Sequence, residues 1–169
     1  MTRMRELDAT IEALAGFPER LQHFFNSFPP DRVGWKPRVW DGIPSERLTA
    51  IEQICHVRDI EIEGYRVRFH RTRTELSPVL PDLPGESMAL VRNYAGADPL
   101  AALRDFAAAR MNTVDTIRGF SLAELRREAI FEGQRTTLAG LVHFLCSHDY
   151  QHLSGLQWLL GKSNASSVA

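Results

Sequence analysis

The sequence predicts an all-α protein, a four-helix bundle with long connections. Three observations carry that expectation. Four stretches repeat apolar residues at helical spacing, clusters of proline and glycine separate them, and no convincing run of alternating apolar and polar residues offers a strand. A chain of 169 residues suits one domain with one buried core. The bundle is expected to occupy residues 1–162, with 163–169, small and polar, as a flexible tail.

The first helix is expected from about Met4 to Phe28, with Leu7, Ile11, Leu14, Leu21, Phe24, Phe25 and Phe28 on its apolar side. Gly16 and Pro18 fall inside it and predict a kink or short break near Phe17. Pro29-Pro30-Asp31 ends it. The connection from Asp31 to Ser45 holds Trp35, Pro37, Trp40, Gly42 and Pro44, and two tryptophans there imply a loop packed onto the body. A short extended piece could lie in Val33 to Ile43, but a sheet is not expected. The second helix is expected to open at Ser45, with Glu46 and Arg47 in its first turn, and to run to about Glu75. Its main apolar stripe is Leu48, Ile51, Cys55, Ile62 and Phe69.

Ser77-Pro78 and Pro81-Asp-Leu-Pro84-Gly85 then predict a long loop reaching Asp98. Asp98-Pro99 is a cap followed by proline at the first helical position, so a third helix should start there. It continues through Leu103, Phe106, Ala107, Arg110, Val114 and Ile117 to Gly119. Ser121-Leu-Ala-Glu124 reads as a capping box on a short extra helix. The fourth long helix is expected from about Thr137 to Leu160, stopping at Gly161.

Composition narrows the function. Basic and acidic residues number 20 and 21, a net charge of -1, which leaves no general basic footprint for nucleic acid. The run Arg66-Val-Arg68-Phe-His-Arg71-Thr-Arg73 is better explained as cations near a helix C-terminus, where they complement the dipole. No apolar run has membrane-spanning length. The start lacks the apolar core of a signal peptide, and two cysteines, Cys55 and Cys146, make no disulfide framework, so a cytoplasmic location is expected. Both cysteines sit among apolar neighbours and read as small buried hydrophobes.

The informative stretch is Cys146-Ser-His148-Asp149-Tyr150-Gln151-His152-Leu153. Residues four apart share one helix face, so two imidazoles can converge on one ion. Leu138, Leu141, Leu145, Leu156 and Leu159 define the apolar stripe, and His148 and His152 fall within it near one edge. His143, Tyr150, Ser154 and Gln157 lie on the other side. Buried imidazoles need partners, and a shared metal ion would satisfy both. A third candidate is His56 on the second helix, in a polar strip with Glu52, Asp59 and Glu63. Periodicity leaves two readings of that strip open. It is a half-exposed charged face, or it lines a cavity with Asp59 or Glu63 accepting the ring N–H of His56. His23, His70 and His143 have no comparable setting.

Several of these pieces, in this order, resemble the DinB-like superfamily. They are the loop with Trp35, Pro37 and Trp40, the motif His56-Val-Arg-Asp59-Ile-Glu61, and the motif His148-Asp149-x-x-His152-Leu153. The resemblance covers roughly Met4 to Gly161. It implies a four-helix bundle, one divalent ion (zinc or nickel), and a homodimer. Carried over by motif position, it implies the ligands His56, His148 and His152. Thiol-dependent isomerases of the family have an acidic residue where this chain has His148, so their particular chemistry is not carried over.

Three histidine ligands would leave a coordination position open, as catalytic sites do. The resemblance favours a metal-dependent enzyme using a low-molecular-weight thiol for S-transfer or isomerisation of a small-molecule substrate. Two alternatives stand beside it. One is a metal-dependent hydrolase, for which Asp149 is the candidate base because it follows the first histidine as the glutamate does in His-Glu-x-x-His proteases; its shorter side chain favours instead a role in packing or in supporting a ligand. The other is a non-catalytic metal-binding, stress-associated module.

Overall fold

The computed structural model describes the backbone of residues 2–165 and the side chains of residues 7–165. Four long helical segments form the bundle: α1 (Thr2–Phe25), α2 (Ala50–Asp59) continued through a π-helical stretch (Ile60–Tyr65) into α3 (Arg66–Thr74), then α5 (Pro99–Arg118) and α7 (Leu138–Ala165). Two short helices, α4 (Gly85–Val91) and α6 (Leu122–Leu125), lie in the connections. Both α1 and α2 pack against both α5 and α7, so the order around the bundle is α1, α5, α2, α7. No helix among the described residues is long and apolar enough to cross a membrane.

Local chemistry explains most boundaries. Asp98 caps α5 by accepting from the Leu100 N–H, and Gly119 closes it. Ser121 and Glu124 form the capping box expected on α6. The second helix differs from expectation. It starts at Ala50, because Thr49 and Glu52 make a reciprocal capping box. Ser45 and Glu46 therefore belong to the preceding connection. The loop of Trp35 and Trp40 does pack down: both rings lie against the core, and Trp40 stacks on Trp158 with centroids 6.4 Å apart.

Other departures have equally local causes. The π turn, held by i→i+5 bonds, takes more residues per turn and shifts the helix phase. Ile62, expected in the apolar stripe, is consequently exposed, while Ile60, Glu61, Tyr65 and Arg68 turn inward. The absence of a sheet was also wrong. Glu128–Phe131 (β1) and Gln134–Thr137 (β2) pair antiparallel around Glu132-Gly133, both at positive φ as a two-residue hairpin turn requires. The expected stop at Gly161 is overrun. Ser163 is buried, its carbonyl accepts from Arg32 Nη1 at 3.1 Å, and its hydroxyl donates to the Leu160 carbonyl, so the helix is tied down to Ala165. Of the tail expected at 163–169, the first three residues are thus helical and 166–169 lie outside the described residues.

The core is divided into two apolar clusters by a polar layer. One cluster contains Phe17, Ile54, Val57, Phe106, Leu153 and Leu156; the other contains Leu14, Ile60, Val114, Leu141 and Leu145. Between them, on α5, lies Arg110, only 1% exposed. Its five N–H donors meet five bonds: Nε and Nη2 to Glu61 at 3.1 and 2.9 Å, Nη1 and Nη2 to Asp149 at 2.6 and 3.0 Å, and Nη1 to the Leu14 carbonyl at 3.1 Å. That last acceptor is available because Pro18, four residues on, has no N–H to offer it. α1 therefore runs through Pro18 as one helix, with the freed Leu14 carbonyl taken up from α5. One guanidinium thus ties together all four segments of the bundle.

Candidate metal centre

The same polar layer carries the histidines. His148 and His152 project from successive turns of α7, and His56 from the last full turn of α2. His148 Nε2 lies 3.3 Å from His56 Nε2 and 3.2 Å from His152 Nε2. Glu46, from the connection before α2, completes the cluster: its Oε1 is 3.4 Å from His56 Nε2 and its Oε2 is 3.2 Å from His152 Nε2. One ligand atom from each of the four residues falls within 4.8 Å of all the others. His56 and His152 are buried at 1% and 0% exposure, so the α2 polar strip faces inward at His56, while Glu63 at its far end stays exposed. His148 and Glu46 are partly exposed and form the side that solvent reaches.

Proton placement shows what this arrangement suits. His152 Nδ1–H donates to Gln53 Oε1 at 2.6 Å. Gln53 is held in that orientation, since its Oε1 also accepts from Ser45 Oγ and its Nε2 donates to the Leu48 carbonyl. His152 Nε2 therefore presents a lone pair, and it faces a carboxylate oxygen and another imidazole nitrogen. Lone pairs at such separations repel unless a proton or a cation lies between them, and one cation can serve all of them at once. Ligand atoms around a tetrahedral ion, each about 2.0–2.1 Å from it, stand about 3.3 Å apart. The donor set fits a divalent cation. Burial, then the neighbouring imidazoles of His152 and His56, push His148 well below the ordinary histidine range, which keeps the ring neutral as a ligand must be.

Two sequence readings are decided here. Asp59 and Glu63 do not orient His56. Asp59 accepts from Arg58 Nε, Arg92 Nη1 and the Tyr94 hydroxyl at 2.6, 2.7 and 2.6 Å, and both Glu63 oxygens accept from Arg92. His56 Nδ1 instead has no hydrogen-bond partner among the described residues, and the ring is packed against Gly85 of α4. Asp149 takes the packing role rather than that of a base. Both of its oxygens are taken by Arg110 and it is 1% exposed, so it is not a free base beside the histidines. Burial pushes its carboxyl up to about 6 even against Arg110.

Sequence reasoning missed Glu46, Gln53 and Gly85. For Glu46 a signal existed. Thr49-Ala-Ile-Glu52 matches the capping-box pattern and Ser45-Glu-Arg-Leu48 does not, which would have moved Glu46 out of the helix.

A bundle with a histidine–carboxylate cluster between its helices is a recurrent setting for metal sites. The DinB superfamily model matches residues 13–155, and the chain belongs to that superfamily. In structure it is similar to YfiT from Bacillus subtilis, described as a probable metal-dependent hydrolase with an unusual four-helix bundle topology. The TM-score is 0.80 at 15% identity, covering 95% of this chain and 89% of that one. No match was found among curated proteins.

Proposed function

We propose that this chain is a metal-dependent hydrolase of a small molecule, holding one divalent ion, zinc or nickel, through His56, His148 and His152. The observation that carries the reading is the convergence of three Nε2 atoms at 3.2 and 3.3 Å, one of them fixed as a lone-pair donor by Gln53. The description of YfiT as a probable metal-dependent hydrolase supports the reaction class. When bound, such an ion lowers the pKa of a water and polarises a carbonyl. The chain's own part is to hold three imidazoles rigidly on α2 and α7 and to keep His148 neutral. The apolar clusters on either side limit access, so substrate approaches past His148 and Glu46.

Elemental analysis of untagged protein should find about one divalent ion per chain. His152→Ala should lose it, whereas His143→Ala should not, because His143 is exposed and bonded to Thr10. Equal loss from both would place the site elsewhere. The metal-loaded protein should then hydrolyse members of an ester and amide panel and be inactivated by chelation. Transfer to a low-molecular-weight thiol without any hydrolysis would replace this reading with the thiol-dependent one.

A further inference from the structure

We propose that Glu46 is a fourth, displaceable ligand of the same ion, so that the resting site is closed by four protein groups and opens when an anionic ligand takes the place of the carboxylate. The inference rests on the three-histidine reading and adds a closed state to it.

The first support is geometric. The two oxygens of Glu46 approach two different imidazoles, at 3.4 Å from His56 and 3.2 Å from His152, distances close to those between the imidazoles themselves. Among the described residues Glu46 pairs with no lysine or arginine; its charged-group contacts are these two rings. A carboxylate aimed at the lone pair of His152 is placed for a cation held in common.

The second support is where Glu46 sits in the chain. The histidines come from α2 and α7, whereas Glu46 lies outside any helix, three residues before the Thr49 cap. Its carbonyl accepts from the Leu48 N–H at 2.8 Å, a local contact. Its side chain is 38% exposed while those of His56 and His152 are buried. The carboxylate can therefore turn outward into solvent, whereas the rings of His56 and His152 are enclosed by packing.

The third support is charge. Three neutral imidazoles bring no charge of their own to a divalent ion, and a carboxylate in direct reach of it partly offsets the cost of holding that ion in a largely buried layer. An incoming anion would exchange like charge for like, so anionic head groups such as carboxylate, hydroxamate or thiolate are the class that opens the site. Neutral ligands lack that compensation.

The test uses the full chain loaded with cobalt(II), titrated with acetohydroxamate and followed by its visible spectrum. Glu46→Gln removes the competing charge at nearly constant volume, and Glu46→Ala guards against an amide oxygen that still ligates. Both variants should bind cobalt about tenfold more weakly than the parent, as loss of a ligating or orienting group generally causes. Both should also take up acetohydroxamate at least about tenfold more tightly than the parent once the internal competitor is gone. Equal hydroxamate affinity in parent and variants overturns the role of Glu46 while leaving the three-histidine site intact. Failure of the parent to bind cobalt overturns both.

Discussion

Gln53 accepts the Nδ1 proton of His152 at 2.6 Å, and the two are buried at 0% exposure. This bond decides which nitrogen of His152 faces the cluster. Removing the acceptor with Gln53→Met should lower divalent-metal affinity by about 10–100-fold, the usual consequence of losing the group that orients a ligating imidazole. Gln53→Glu keeps an acceptor oxygen and should retain most of the affinity. Competition titration with a chromophoric chelator measures both. Equal affinities for Gln53→Met and the parent would mean that the tautomer of His152 does not matter.

Gly85 of α4 shapes the other buried ring. A Cβ built there would stand 2.6 Å from His56 Cε1 and 2.8 Å from its Nδ1, closer than real atoms approach. Gly85→Ala should therefore displace the ring and weaken metal binding by about tenfold or more, with the helical circular dichroism unchanged. Gly161→Ala is the matched control, since nothing lies within 4 Å of its added Cβ. That change should leave metal affinity alone and stabilise the helix by up to about 1 kcal/mol.

Arg110 neutralises part of the charge of Glu61 and Asp149 inside the bundle. Arg110→Met would leave two buried carboxylates facing each other without a cation, and loss of one partner of a buried ion pair costs about 3–5 kcal/mol. Urea unfolding of the metal-free protein should show that loss. Replacing all three residues by apolar ones of similar volume should recover most of it. A loss from Arg110→Met below about 1 kcal/mol would show the network to be incidental.

Asp59 predicts how the fold responds to acid. Burial opposes its charge, but Arg58, Tyr94 and Arg92 outweigh that and hold its carboxyl below the ordinary aspartate range. A carboxyl depressed in the folded state contributes stability above its unfolded pKa of about 3.9 and loses it as pH falls through the folded value. Stability of the parent should consequently drop below about pH 4, and the drop should be shallower in Asp59→Asn. Urea midpoints from about pH 7 to about pH 3 test this. Identical acid limbs would assign the loss to other carboxyls.

The helices and the α7 face of the site could be read from the chain alone because each depends on local spacing. Leu138, Leu141, Leu145, Leu156 and Leu159 are all buried, and His143, Tyr150, Ser154 and Gln157 are all exposed, as a regular helical period requires. The caps at Asp98 and Ser121 were legible for the same reason: a cap is a contact between residues two or three apart.

What spacing could not settle was anything made by residues distant in sequence. Whether His56 faces solvent or the cluster depended on how α2 packs against α7, and a π turn that periodicity does not register rotated Ile62 outward and Glu61 inward. Spacing leaves Asp149 as a base or a packing residue, and Arg110, 39 positions away, decides it by claiming both of its oxygens. Glu46 lies 106 positions from His152 (152 minus 46), and no local pattern records that they meet. The sequence by itself determined the helices, their caps and the histidine pair on one face, since those follow from bonds within a few residues. The tertiary structure decided the partners of the buried charges, since a charge withdrawn from water pairs with whichever groups packing brings to it.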